Sequence, residues 1–407
     1  MNWKRNAWLL IGGQSISIAG DSLMMMVLPL MVLDLTGSVF QVSIVFILTQ
    51  LPTFFGFLSG TFRRFYRPKI LIVSYDFIRF IILLITSVFM IFQVSIYAVY
   101  VMVFLFNIFS TLFRPTRIEF ITHIVPEDSL QRFNSVDRTF EAVAYAIGFG
   151  LGGYAYFYLS MPQIFALNSL PFLLSGISLL FMRSKELAES GAGSQPSDKV
   201  KSSFWRTALS VNKRPMLSFL VYGETLAGLA FGVFMSLFVV YGRQFLGVDS
   251  IMLGHLEMVQ ALAATIAGLL LSFGLLKISE RALGFFGYFG MGLSMLLLGV
   301  NSMIWMTFLL MTFIGAFNML YSIGVRTLLQ KNSSNKEMIH IFALESILSR
   351  SSLIVGSGLA GFILSTTNLT VNWVIFASGI LLILVSIWAI RALFTRGFES
   401  KGKDVGV

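Results

Sequence analysis

Cysteine is absent from this chain of 407 residues, which excludes disulfide staples and thiolate metal centres. Charge is scarce too. Asp, Glu, Lys and Arg make up 12% of the residues, against roughly 25% in an average soluble domain. The three histidines are dispersed and lack the spacing of a metal cluster. No G-x-x-x-x-G-K-[ST] loop is present to drive an ATP-powered pump. No nucleophile–base arrangement points to an enzyme, so no catalytic residue, metal ligand or cofactor is expected.

What fills the chain is apolar. Hydrophobic residues account for 56% and the mean hydropathy is +0.83. A membrane-spanning helix needs roughly 20 mostly apolar residues, and backbone polar groups cannot stay unpaired in lipid. The pattern predicts an all-α polytopic membrane protein with twelve spans, at about 7–33, 39–62, 70–92, 97–113, 135–159, 163–182, 216–242, 251–276, 283–299, 303–325, 340–364 and 372–392.

With both termini cytoplasmic in a plasma membrane, nearly every basic residue outside the spans falls inside the cell. Lys4, Arg5, Arg63, Arg64, Arg67, Lys69, Arg114, Arg117, Arg132, the 183–214 segment and the tail beyond Arg391 all agree, and Arg243 alone lands outside. This is the positive-inside pattern. It accounts for the net charge of +10 without a nucleic-acid partner. The start, Met1-Asn2-Trp3-Lys4-Arg5, leads into a stretch too long for a signal-peptide core and is expected to remain as the first span.

A Gly-, Ser- and charge-rich stretch, 184–215, reads as a cytoplasmic linker. It leaves a six-helix bundle on each side, 1–183 and 216–407. Gly148-Phe149-Gly150-Leu151-Gly152-Gly153 in the fifth span is echoed by Gly356-Ser357-Gly358-Leu359-Ala360-Gly361 in the eleventh. Small residues let helices approach closely, and their recurrence at one place in each half points to duplication. Six spans plus six is the layout of a parallel-repeat transporter with its site near the midplane.

Several segments resemble the major facilitator superfamily, in particular bacterial drug exporters of the macrolide-efflux and enterobactin-exporter type. They are Gly13-Gln14-Ser15-Ile16-Ser17 with Gly20-Asp21, Leu35-Thr36-Gly37-Ser38, the run Arg64, Arg67, Lys69, Asp76 and Arg79, Phe113-Arg114-Pro115-Thr116-Arg117, and Ile124-Val125-Pro126-Glu127. Gly148, Gly150, Gly152 and Gly153 resemble the antiporter motif of the fifth helix and are expected to pack helices. The resemblance implies the two-bundle fold of that superfamily, and the direction of transport, export, rests on it alone. Two positions depart from the family pattern. Arg63 stands where the loop between helices two and three usually has Asp, which leaves Asp76 or Asp137 to supply the acid at the cytoplasmic gate. Phe149 stands where the fifth-helix motif usually has Pro.

An ionisable side chain at mid-bilayer costs at least about 2.5–3.5 kcal/mol, which makes function the first hypothesis for each one. Asp21 lies near the middle of the first span, and Glu224 about two turns into the seventh, level with Gln14. A carboxyl that is neutral with its proton and anionic without it can alternate between a proton and a cationic substrate. A structural acid held by neighbouring helices is the competing reading. Asp76 and Arg79 are three apart and can pair on one helix face, as can Arg138 and Glu141. Glu345 and Arg350 are five apart, about 140° around the helix, so each needs a partner elsewhere. Arg350 can position an anionic group or hold Asp21 or Glu224 in charged form. His255 and Glu257 lie near the outer end of the eighth span, within reach of water.

The expectation is a monomeric secondary transporter exporting small amphipathic, cationic compounds in exchange for protons. The proton gradient is its energy source, and membrane lipids surround it. Asp21, Glu224, Gln14, Arg350 and Glu345 would serve coupling and binding. Arg64, Asp76, Arg79, Arg114, Asp137, Arg138 and Glu141 would form gating ion pairs. A lipid or lysophospholipid mover and a monovalent cation/proton antiporter are the alternatives within transport. A receptor or scaffold is the alternative outside it, disfavoured by the lack of a soluble signalling domain.

Overall fold

The computed structural model describes residues 3–56, 58–92, 95–182, 208–275, 277–333 and 337–394; residues 184–207 of the expected linker lie outside these. The first helices are α1 (Trp3–Thr36), α2 (Val39–Gln50), α3 (Leu58–Arg63), α4 (Pro68–Ile91), α5 (Ile96–Ile124), α6 (Glu127–Tyr158) and α7 (Met161–Leu180). They are followed by α8 (Pro215–Val240), α9 (Ser250–Ser272), α10 (Glu280–Val300), α11 (Ile304–Asn332), α12 (Met338–Thr366) and α13 (Val371–Phe394).

Ten of them are long and apolar enough to cross a membrane: α1, α4, α5, α7 and α8 to α13. The other two expected spans are present in altered form. The second is broken by a 3-10 turn at Leu51–Phe55, where Pro52 cannot continue the helical ladder. The fifth lies within α6, whose first half carries Glu127, Asp128, Arg132, Asp137, Arg138 and Glu141 and is too charged for lipid.

Several helices outrun their apolar stretches. α5 was expected to stop at 113 but continues through Pro115 to Ile124. Pro115 gives up one ladder bond, the one to the Thr111 carbonyl, and the adjacent Thr116 hydroxyl donates to the Leu112 carbonyl at 2.9 Å. α8 ends in a π turn at Tyr241–Phe245. There the buried Tyr241 hydroxyl reaches the carbonyls of Leu298 and Asn301 at 2.9 and 3.0 Å.

The described residues form two compact units: residues up to 182 with 248–261, and 208–247 with 262–394. In the first, α1 packs on α6 and α7, and α4 packs on α5 and α7. In the second, α8 packs on α12 and α13, and α10 packs on α11 and α13. The same pairing order therefore recurs in the two units. An apolar core at one end of the first unit joins Leu10 and Ile11 of α1, Ile72 and Tyr75 of α4, Phe113 and Phe120 of α5, and Leu179 of α7.

With lipid as the alternative environment, close packing rather than water exclusion holds such helices together. A Cβ at Gly148 would strike Ser22 and the Ala19 carbonyl of α1, and one at Gly152 would meet Met26 and Leu23. Gly150 and Gly153 point elsewhere, toward Met258 and toward Ser250 and Gly254 in the 248–261 segment. In the second unit, Gly228 and Gly232 of α8 take Ser352 and Leu353, and Gly356 of α12 takes Leu229.

Candidate functional site

In the first unit, α1, α4 and α7 converge on a buried polar column. Gln14, Ser17 and Asp21 follow one another at helical spacing on α1, Asp76 and Arg79 on α4, and Asn168, Phe172 and Ser175 on α7. Asp76, fully buried, accepts hydrogen bonds from Arg79, from Ser175 at 2.7 Å and from Gln14 at 3.5 Å. Gln14 also donates to Ser175 at 2.7 Å. The Arg79 guanidinium lies between two rings, with its central carbon 4.6 Å from the centroids of both Phe113 and Phe172. Such cation–π contacts are strongest where water is excluded.

One level away, Arg79 Nη1 lies 3.9 Å from Asp21 Oδ2. The Asp21 side chain is a quarter exposed, yet its other oxygen is buried. Among the described residues Asp21 Oδ1, Arg79 Nε and both amide atoms of Asn168 are buried without a hydrogen-bond partner. Two carboxylates share one guanidinium here, so with all three ionised the cluster carries one uncompensated negative charge. Buried charges are tolerated when paired, and this one leaves room for a proton or a cation.

The second unit holds a different arrangement around an acid at the equivalent helix. Glu224 of α8 accepts from the Tyr321 hydroxyl at 3.0 Å and from Tyr288 at 3.2 Å, one on each oxygen. Tyr288 is fully buried, and the two rings lie 5.0 Å apart. α10 and α11 approach closely enough for this because a Cβ at Gly287 would collide with Tyr321. Glu345 is within electrostatic reach of Glu224, and it feels the charges of Arg326 and Arg350 in turn.

Several other charged residues of the first unit form ion pairs. Arg138 and Glu141 are 2.7 Å apart, with Arg114 4.0 Å from the same carboxylate. Asp137 pairs with Arg117 at 2.5 Å. Arg63 contacts Glu119 at 2.7 Å, so its positive charge meets an acid of α5. Arg64 is exposed. The base facing Asp21 is Arg79 on the neighbouring α4, a pairing that sequence spacing could not show. Asn168, Ser175, Tyr288 and Tyr321 carry no sequence signal beyond a polar group on an apolar helix. Among the described residues no group of three His, Cys, Asp or Glu side chains could hold a metal ion.

The architecture is shared with solved transporters at low sequence identity. The nucleoside transporter NupG aligns with a TM-score of 0.74 and 12% identity, over 97% of this chain and 100% of that one. A bacterial homologue of the human lysosomal transporter Spinster, inward-facing and unoccupied, gives a TM-score of 0.71 at 13% identity, over 96% of each chain. A bacterial homologue of the iron transporter ferroportin gives 0.71 at 13%, over 96% of this chain and 99% of that one. No curated protein matches the sequence. Residues 10–338 match the family model for the Major Facilitator Superfamily. The chain is therefore a multi-pass membrane protein that belongs to the Major Facilitator Superfamily.

Proposed function

We propose that this protein is a proton-coupled secondary transporter of the plasma membrane, with cytoplasmic termini, that exports small amphipathic cations by alternating access. The observation that carries the reading is the surplus negative charge at Asp21, Asp76 and Arg79. Asp76 is fully engaged by Arg79, Ser175 and Gln14, whereas Asp21 is bound only loosely, at 3.9 Å, by the same guanidinium. Asp21 is thus the acid free to exchange a proton. Glu224, held between two tyrosyl hydroxyls, offers an oriented carboxylate with aromatic walls. Aromatic faces attract organic cations, and this pair of features suits an ammonium-bearing cargo.

A lipid mover is the second reading. It is favoured by an open apolar groove of about 570 Å³ on α4 and α7, lined by Phe80, Leu84, Leu167, Leu170 and Leu173 among others.

Uptake of a lipophilic cationic dye into inside-out vesicles tests the proposal. Wild type should concentrate dye under an imposed proton gradient and lose that uptake with a protonophore. Asp21→Asn, at matched expression, should not concentrate it. A wild type that ignores the gradient would contradict the proposal.

A further inference from the structure

Asn168 is 2% exposed and has no hydrogen-bond partner for either atom of its amide. Buried amides are nearly always satisfied, and a bare one is costly enough to call for an explanation. Its position suggests what completes it. The amide oxygen lies so close to α1 that a Cβ on Gly20 would come within 2.6 Å of it, and Asp21 is the next residue. One turn further along the same face of α7, Phe172 stacks under Arg79. The next turn brings Ser175 to Asp76. Asn168 therefore extends the polar column at the level of Asp21, whose Oδ1 is also buried and unpartnered.

We infer that Asp21 Oδ1 and Asn168 Oδ1, at the junction of α1 and α7, form a binding site for one small hard cation, Na⁺. The chemistry is that of oxygen donors around a hard ion. The charge decides its valence. Asp21, Asp76 and Arg79 together leave a single negative charge, which one monovalent ion neutralises and a divalent ion would overshoot. Na⁺ and a proton then compete for Asp21. The inference shares that residue with the proposed coupling step, but ion binding needs neither cargo nor gradient, so the two can fail separately.

Equilibrium binding of ²²Na⁺ to the purified full-length protein in detergent, with choline chloride holding ionic strength constant, tests the site. Wild type should show saturable binding, abolished in Asp21→Asn and weakened at least tenfold in Asn168→Ala. Because Asn168→Ala can disturb packing, Asn168→Asp is the second variant. It keeps an oxygen donor and adds a negative charge, so it should shift preference toward Ca²⁺ in competition with ²²Na⁺. Absence of saturable binding to folded wild type, or binding indifferent to both Asn168 variants, would overturn the inference. Displacement of ²²Na⁺ from wild type by Ca²⁺ or Mg²⁺ at far lower concentrations than by Na⁺ would overturn the assigned valence.

Discussion

Arg79 Nη1 lies 3.9 Å from Asp21 of α1 while Nη2 is hydrogen-bonded to Asp76 on its own helix, α4. One guanidinium thereby serves two acids, firmly on one side and loosely on the other. The firm contact anchors the site. The loose one leaves Asp21 able to change its charge without dismantling the junction.

Removing the anchor should be costly. Arg79→Met strands Asp76, which is fully buried, and leaving a buried charge unpaired costs about 3–5 kcal/mol. Arg79→Met with Asp76→Leu removes both charges and should recover much of that loss. Denaturant titration in detergent should rank wild type above the double variant, and the double variant above Arg79→Met. A single variant as stable as wild type would mean that the pair does not anchor the three helices.

The tyrosyl contacts to Glu224 make a similar claim in the second unit. A hydrogen bond to a charged group is worth about 1.5–3 kcal/mol, so Tyr321→Phe should destabilise the wild type by about that amount. In a Glu224→Leu background the same change should cost far less, because the acceptor is gone. A double-mutant cycle measures this coupling directly. An equal cost in both backgrounds would place the Tyr321 hydroxyl elsewhere.

Glycines in contact and glycines in open space should respond differently. A Cβ at Gly148 collides with Ser22 and the Ala19 carbonyl, whereas one at Gly12 has nothing within 4 Å. Overpacking costs about 1–3 kcal/mol, so Gly148→Ala should lower the unfolding midpoint while Gly12→Ala leaves it unchanged or raises it. Thermal unfolding of the two variants side by side checks the α1–α6 contact.

The fold was legible because apolar length alone fixes the number of helices a chain can place in lipid. Helix ends were not legible. α5 was expected to end at 113, but a helix beyond the bilayer needs no apolar residue, and Pro115 removes only one bond of the ladder. The second span, read as continuous from 39 to 62, is interrupted at Leu51–Phe55, where Pro52 bends the chain.

Within the candidate site, pairs local in sequence could be read from it. Asp76 with Arg79 and Arg138 with Glu141 follow from a spacing of three on a helix. Contacts between helices could not. Asn168 is separated from Asp21 by most of the first unit, and a lone Asn on an apolar helix has no periodic signature. Tyr288 and Tyr321 read as ordinary aromatic residues until packing brings both hydroxyls to Glu224. Arg63, read as an inverted gate charge, meets its acid in Glu119, more than fifty residues away in sequence.

The central claim is that Asp21 gives up a proton when a cationic cargo is taken. Adding tetraphenylphosphonium to purified protein in weakly buffered detergent solution measures this most directly. Binding should release protons in wild type and release none in Asp21→Asn. Cation binding without proton release, release that persists in Asp21→Asn, or no binding of the cation at all would contradict the account.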